Sequence, residues 1–283
     1  MLTLREALTR ATSQLSAHPD LRPTALADAS TLLQHFLGMD RATIIAHPER
    51  TLDRDQLGAY QLLISRRLRF EPIQYIVGST DFYGLTLKVT PAVLIPRPET
   101  ELLVEAVVQR LTPNQPTGIA DIGTGSGALA IALAHSLPQA TVTALDLSTD
   151  ALTVARENAH THALDHRITF LESDLLAAIP PASQFAVIVS NPPYVPIADS
   201  AALHPQVRDH EPALALFAGP DGLEIYQRLI PQAFRHLKPG GLLALEIGFG
   251  QRHAISELLT EWNEVEFLPD LQGIPRVALA IRP

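Results

Sequence analysis

Gly118-Ile119-Ala120-Asp121-Ile122-Gly123-Thr124-Gly125-Ser126-Gly127 is a short apolar run that breaks into three alternating glycines. The run has the length and composition of a buried strand. The glycines let the backbone turn sharply and approach a ligand with no Cβ in the way. Gly127 to Leu137 then reads as a helix whose first N–H groups have no partner inside it. Asp146 ends the next apolar run, about 20 residues on, where a carboxylate can accept both ribose hydroxyls of an adenosine. A tight turn that binds nothing would need none of this agreement. The spacing of Gly123, Gly125 and Ala128 also satisfies the dinucleotide fingerprint, so the loop alone leaves a nicotinamide enzyme open.

Outward from this loop the chain alternates strand and helix. Strands are expected at Gly118–Ile122, Thr141–Asp146, Ile168–Leu171, Phe185–Ser190, Gly241–Ile247, Val265–Leu268 and Val277–Ile281. Helices are expected at Glu99–Leu111, Gly127–Leu137 and Thr149–His160. Short apolar strands separated by helices imply an α/β fold with a mostly parallel sheet covered on both faces. Ligands of such sheets sit at the carboxyl ends of the strands, where the strand order reverses.

The first quarter reads as helices only. Leu4, Ala7, Leu8, Ala11 and Leu15 recur at helical spacing. A second helix is expected from Ala25 to Leu37, stopped by Gly38, and a third from about Asp53 to Arg69, with Asp53 as its cap. From Ile76 the pattern changes. Phe82 to Val89 alternates and reads as a hairpin, and Pro91, Pro96 and Pro98 punctuate the chain after it. The expected divisions are therefore a helical domain over 1–75, a hairpin linker over 76–98 and a catalytic domain over 99–283.

Composition narrows the chemistry. With 283 residues, 46% of them hydrophobic and 18% charged, the chain can bury a sizeable core. Its formal net charge of -9 makes it a poor generic partner for a phosphate backbone. It has no cysteine, which excludes disulfides, zinc–thiolate sites and a cysteine nucleophile, and fits a reducing cytoplasm. No secretory signal opens the sequence, and no apolar stretch approaches the ~20 residues that cross a bilayer. The eleven histidines are scattered; even His160 and His162 lack an acidic or cysteine partner at ligand spacing, so no metal is expected.

Asn191-Pro192-Pro193-Tyr194 follows the strand Phe185–Ser190, on the same sheet edge as the glycine loop. An isolated Asn-Pro would be an ordinary turn. All four residues at this strand end point to methyl transfer onto a planar nitrogen. An amide nitrogen is a weak nucleophile because its lone pair is delocalised into the carbonyl. Two acceptors can hold such a nitrogen in line by taking its two hydrogens: the Asn191 side-chain oxygen and the Pro192 carbonyl. The prolines fix φ and stiffen the loop, and the Tyr194 ring can pack on the flat target. This is positioning and electrostatic preorganisation, with no histidine or carboxylate in the motif to serve as base.

At this point the sequence resembles a known family, the release factor glutamine methyltransferases, over nearly its whole length. The matching stretches are Arg66-Arg67, Glu71 to Gly78, Phe82-Tyr83-Gly84, Val93 to Glu101 and Asp121 to Gly127. They continue with Asp146, Ser190 to Tyr194, Glu211 to Leu214, Glu246-Ile247-Gly248, Gln251, Asp270 to Gly273 and Arg276. The Asn191 motif is shared with many nitrogen methyltransferases; the run Ile95-Pro96-Arg97-Pro98-Glu99-Thr100-Glu101 is much narrower. The resemblance implies a class I S-adenosylmethionine-dependent methyltransferase, Rossmann-like and seven-stranded, with a small all-helical N-terminal domain and a hairpin linker. It implies that Gly123, Thr124, Gly125, Ser126, Gly127, Asp146, Asp174, Leu175 and Asn191 line the cofactor site, and that Asn191, Pro192, Pro193, Tyr194, Arg97 and Glu99 meet the substrate. Asn191, Pro192 and Tyr194 would carry the reaction. The substrate implied is the glutamine of the Gly-Gly-Gln loop of class-1 peptide chain release factors, with no nucleic acid and no membrane as partner. Leu175 departs from relatives that carry a bulky aromatic residue there, so weaker stacking on the adenine is expected. Arg66, Arg67 and Arg69 read as the recognition surface of the helical domain. The rival readings are a glutamine methyltransferase of a ribosomal protein, an adenine methyltransferase of DNA or RNA, and a noncatalytic adenosine-binding module.

Overall fold

The structure, a computed structural model, describes residues 1–112 and 114–283. It divides into two compact units, Met1–Gly78 with His204–His210, and Ser79–Leu203 with Glu211–Pro283.

The first unit is helical. A minimal pair, β1 (Leu2–Thr3) and β2 (Thr51–Leu52), joins α1 (Leu4–Ser16), α2 (Ala25–Leu37), α3 (Arg41–Ala46), α4 (Arg54–Leu68) and α5 (Ile73–Val77). Local chemistry sets these bounds. Thr3 and Asp53 each close a reciprocal capping box, with Glu6 and Gln56, and so satisfy N–H groups that the helix leaves open. Gly38 ends α2 in the left-handed region at φ 61°. The expected apolar faces form one core: Leu4, Ala7, Ala11 and Leu15 of α1 meet Ala29, Leu32 and Leu33 of α2 and Tyr60 and Ile64 of α4. The Tyr60 hydroxyl, buried with its ring, donates to the Ala29 carbonyl at 2.8 Å.

The arginines at the end of α4 correct one expectation. Arg67 is 5% exposed, and its Nε donates to Asp28 at 2.7 Å. Arg66 grips Glu71 with two nitrogens, at 2.8 and 2.5 Å. A charge leaves water only when a partner compensates it, and these two have found theirs inside the unit. Arg69 alone of the three is exposed.

The second unit opens with the hairpin β3 (Ser79–Phe82) and β4 (Leu85–Lys88). It begins three residues earlier than the alternation from Phe82 indicates, because Tyr83 and Gly84 are the turn, both with positive φ. The Glu101 carboxylate accepts from the Tyr83 N–H at 2.7 Å and fixes that turn to the start of α6 (Pro98–Arg110).

All seven expected strands lie in one sheet: β5 (Thr117–Ile122), β6 (Ala140–Asp146), β7 (Ile168–Glu172), β8 (Phe185–Ser190), β9 (Leu237–Glu246), β10 (Asn263–Pro269) and β11 (Pro275–Ile281). Their order is β10-β11-β9-β8-β5-β6-β7. Six of these seven strands run in one direction, and β11 runs against both of its neighbours. Alternate residues feed two separate cores. Ile119, Val142, Val187 and Leu242 enter one, while Ala120, Leu145, Ile188 and Leu243 enter the other. Helices α7 (Ala128–Ser136) and α8 (Thr149–Thr161) follow β5 and β6. Strand β9 starts four residues before the expected Gly241, since Leu237 pairs with Phe185 across an irregularity in the ladder. Lys238-Pro239-Gly240 lies within this strand, beside the irregularity. The order reverses between β5 and β8, and the candidate residues gather at that edge.

Candidate active site

The glycine loop leaves β5 and is tied to β6. The N–H groups of Gly123 and Thr124 both donate to the Leu145 carbonyl, at 2.8 and 2.9 Å. Gly127 is fixed by two demands: its φ is 83°, and a Cβ there would lie 3.0 Å from Ile131 Cδ1 and 3.2 Å from Ala155 Cβ. Asp146 receives the Gly125 N–H on Oδ2 at 2.8 Å and the Ser148 N–H on Oδ1 at 2.9 Å. Burial pushes its carboxyl up, and these backbone donors pull it back. Each oxygen keeps lone-pair capacity for another donor.

Beside this loop lies a cavity of about 340 Å³. Gly123 to Ser126, Asp146, Asp174 and Leu175 contribute to its wall, as do Asn191, Pro193 and Thr100. Leu175 stands at φ 53°, an uncommon conformation for a branched residue. Asp174 accepts from Arg228 at 2.5 Å. Gly127 is the cap of α7 and lies outside the wall, and Pro192, Tyr194, Arg97 and Glu99 do not line the cavity.

Two buried polar residues near the loop have partners that the sequence does not indicate. Asp121 takes the Thr124 hydroxyl at 2.6 Å and the Ala130 N–H at 3.1 Å, both on Oδ2, while its buried Oδ1 has no partner. Burial pushes this carboxyl up to about 7. Asn158 donates to the Ser126 carbonyl at 2.9 Å and pairs in both directions with the Lys88 backbone. It thereby joins the loop to the hairpin.

The Asn191 motif leaves β8, where Ser190 Oγ donates to the Ile122 carbonyl at 2.7 Å. Asn191 Nδ2 donates to Thr100 Oγ1 at 3.1 Å, and Thr100 donates to Glu246 Oε2 at 2.6 Å. The Tyr194 hydroxyl donates to the other oxygen, Glu246 Oε1, at 3.2 Å. Burial pushes the Glu246 carboxyl up; Thr100, Tyr194 and Arg276 pull it back. Burial likewise raises Tyr194 and keeps it a neutral donor. Gln251 braces the backbone behind the motif, giving Nε2 to the carbonyls of Tyr194 (3.0 Å) and Gly222 (3.2 Å). Gly222 sits so near that a Cβ would fall 2.2 Å from the Tyr194 oxygen.

Among the described residues, no protein donor reaches Asn191 Oδ1 or the Pro192 carbonyl. Pro192 is itself buried. Asn191 and Pro192 are consecutive in the chain, so two acceptors without a protein donor stand on neighbouring residues.

Arg97 does not stand free. Its guanidinium meets Glu211 at 2.5 Å, and Glu211, whose side chain is fully buried, also takes the Ile95 N–H at 3.4 Å. The pair braces the chain before α6. Glu99 is half-buried in the first turn of α6. His160 has Asp165 at 3.4 Å in an exposed pair. Among the described residues no group of three or more His, Asp or Glu side chains is placed to hold a metal.

Known proteins resemble this chain in sequence and in fold. The "PrmC N-terminal domain" family matches residues 6–78, and the "Methyltransferase small domain" family matches 98–207. The release factor glutamine methyltransferase of Koribacter versatilis is 43% identical over 100% of this chain and 99% of its own. That of Moorella thermoacetica is 45% identical over 99% of each. A methyltransferase structure from Pyrococcus furiosus, 19% identical, covers 77% of this chain and 96% of its own with a TM-score of 0.52, which speaks for the fold. With 43% and 45% identity over nearly the full length of both chains, the chain belongs to the release factor glutamine methyltransferase family.

Proposed function

We propose that this enzyme transfers the methyl group of S-adenosylmethionine to the side-chain amide nitrogen of the glutamine in the Gly-Gly-Gln loop of class-1 release factors. The observation that carries the reading is the pair of unpartnered acceptors, Asn191 Oδ1 and the Pro192 carbonyl, on a stiff loop beside the cavity. They take the two hydrogens of a primary amide and hold its nitrogen still. Pro193 and the Tyr194 ring flank the slot, and Arg97 and Glu99 shape its approach. When bound, the cofactor supplies an electrophilic methyl on a sulfonium with a neutral leaving group. The cavity suits its adenosine: Asp146 faces the ribose, Asp174 and Leu175 the base, and the loop from Gly123 to Ser126 the remainder. Leu175 gives an apolar wall without aromatic stacking. The helical unit provides recognition of the partner. No helix among the described residues is long and apolar enough to cross a membrane, and the cytoplasm, where translation ends, is the proposed place of work.

Asp146→Ala is expected to weaken S-adenosylmethionine binding by about 1.5–3 kcal/mol, because the ribose hydroxyls lose a charged acceptor. Gly125→Val does the same, because Gly125 lines the cavity and its φ of +55° strains a branched residue. Calorimetry that finds wild-type affinity in both variants removes the cofactor from this loop.

The substrate is tested by incubating the enzyme and labelled cofactor with purified release factor, its Gly-Gly-Glu variant and DNA, followed by peptide mass mapping. Label is expected on the Gly-Gly-Gln glutamine alone. A glutamate carboxylate lacks the two hydrogens that the acceptors require, and a flipped base needs its phosphates held by basic residues. Label on DNA at physiological salt, with none on release factor, overturns the reading.

A further inference from the structure

An amide can present either of two edges to a substrate, and only one of them serves here. Asn191 must offer its oxygen, because its NH₂ cannot accept the hydrogens of a target amide. Packing alone does not choose between the edges, which are nearly the same shape.

We propose that Thr100 and Glu246 are positioning residues that choose the edge. The inference rests on the function proposed above for Asn191. A carboxylate is an acceptor only. Glu246 therefore takes the single hydroxyl hydrogen of Thr100, at 2.6 Å, and that of Tyr194, at 3.2 Å. With its hydrogen committed, Thr100 Oγ1 can only accept from Asn191, so the Asn191 NH₂ must face it, at 3.1 Å. The Asn191 oxygen is left for the substrate. Direction passes along the chain from a carboxyl group that is 2% exposed to a side chain that lines the cavity. The topology makes the chain possible. Ser190 and Leu245 are register partners in parallel strands, so Asn191 and Glu246 leave the sheet at the same level, with Thr100 between them in the first turn of α6. Glu246 also holds both ends of the motif at once, through Thr100 at Asn191 and directly at Tyr194.

The test uses Thr100→Val, which keeps the shape and removes the hydroxyl, and Thr100→Ser, which restores it. Thr100→Val is expected to lower kcat about 10- to 100-fold through a misdirected amide, with cofactor Kd within about threefold of wild type; Thr100→Ser recovers most of the rate. In an Asn191→Ala background Thr100→Val should cost nothing further, because the group it orients is gone. Glu246→Gln gives a second arm. A carboxamide cannot accept from Thr100 and Tyr194 together, so kcat should fall while the release factor KM stays near wild type. The proposal is overturned if Thr100→Val turns over at the wild-type rate, if Thr100→Ser is as slow as Thr100→Val, or if the Asn191 and Thr100 losses multiply. Wild-type enzyme that labels release factor supports the proposed function whichever way these variants fall.

Discussion

Replacing Asn191 with alanine is expected to lower the single-turnover rate of methyl transfer by about 10²–10³, the usual consequence of removing one preorganised hydrogen-bonding group at a reacting centre. The variant loses the Oδ1 acceptor and also the Nδ2 donor that occupies Thr100. The Pro192 carbonyl remains, so one of the two amide hydrogens keeps its partner while the nitrogen is free to swing. Cofactor affinity should change less, because the Asn191 side chain is one contributor to the cavity wall among many. A rate near wild type at saturating cofactor removes Asn191 from the role assigned to it.

The second large effect is expected from removing the helical unit. A release factor offers one glutamine on a small loop, and so little surface can contribute only a small part of the binding energy. Contacts elsewhere on the partner must supply the rest. Deleting residues 1–78 should leave cofactor affinity unchanged and lower kcat/KM on intact release factor by about 10²–10³, equivalent to about 3–4 kcal/mol of remote contact. The segment His204–His210 needs a control, because it loses Phe70, whose ring lies 5.8 Å from that of His204, and the Arg69 carbonyl bonded to His210. Equal efficiency in truncated and full-length enzyme rules out the recognition role. Of the three arginines that read as the recognition surface, only Arg69 is exposed to serve it.

The misreading of Arg67 shows where a sequence stops being legible. Strands β5 to β8 can be read because each is a short apolar run bounded by turn residues, and the signal is local. The capping residues Thr3 and Asp53 act within three positions of themselves. The partner of Arg67 is Asp28, 39 residues away, and nothing near Arg67 distinguishes it from a solvated helix end. The hairpin reads late for a different reason. Phe82 looks like the start of an alternating strand and is its last residue, since a turn with two positive-φ residues can begin at Tyr83 as well as at Gly84.

The candidate site divides in the same way. Asn191 and the glycine loop are legible because each is compact in sequence. Thr100 and Glu246 carry no local signature of their roles. Glu246 stands in the matching stretch Glu246-Ile247-Gly248 and leaves a second trace, a lone carboxylate ending the apolar run Leu242-Leu243-Ala244-Leu245 at the level of the Asn191 motif. Reading that trace requires knowing that β8 and β9 are neighbours, which comes from pairing and not from order along the chain.

That dependence on distant partners has a consequence for the timing of activity during synthesis. The link from Asn191 reaches back 91 residues to Thr100, and Thr100 reaches forward 146 to Glu246. Gln251, which braces Tyr194, emerges 57 residues after it. Contacts so far apart in sequence form late, because loop closure comes before any gain from the contact. A nascent chain that ends before β9 can already have built the glycine loop and β8, but the group that directs the Asn191 amide is still missing. Such a chain can present a cofactor pocket with no aligned acceptor beside it, so methyl transfer reports that nearly the whole polypeptide has been made and folded.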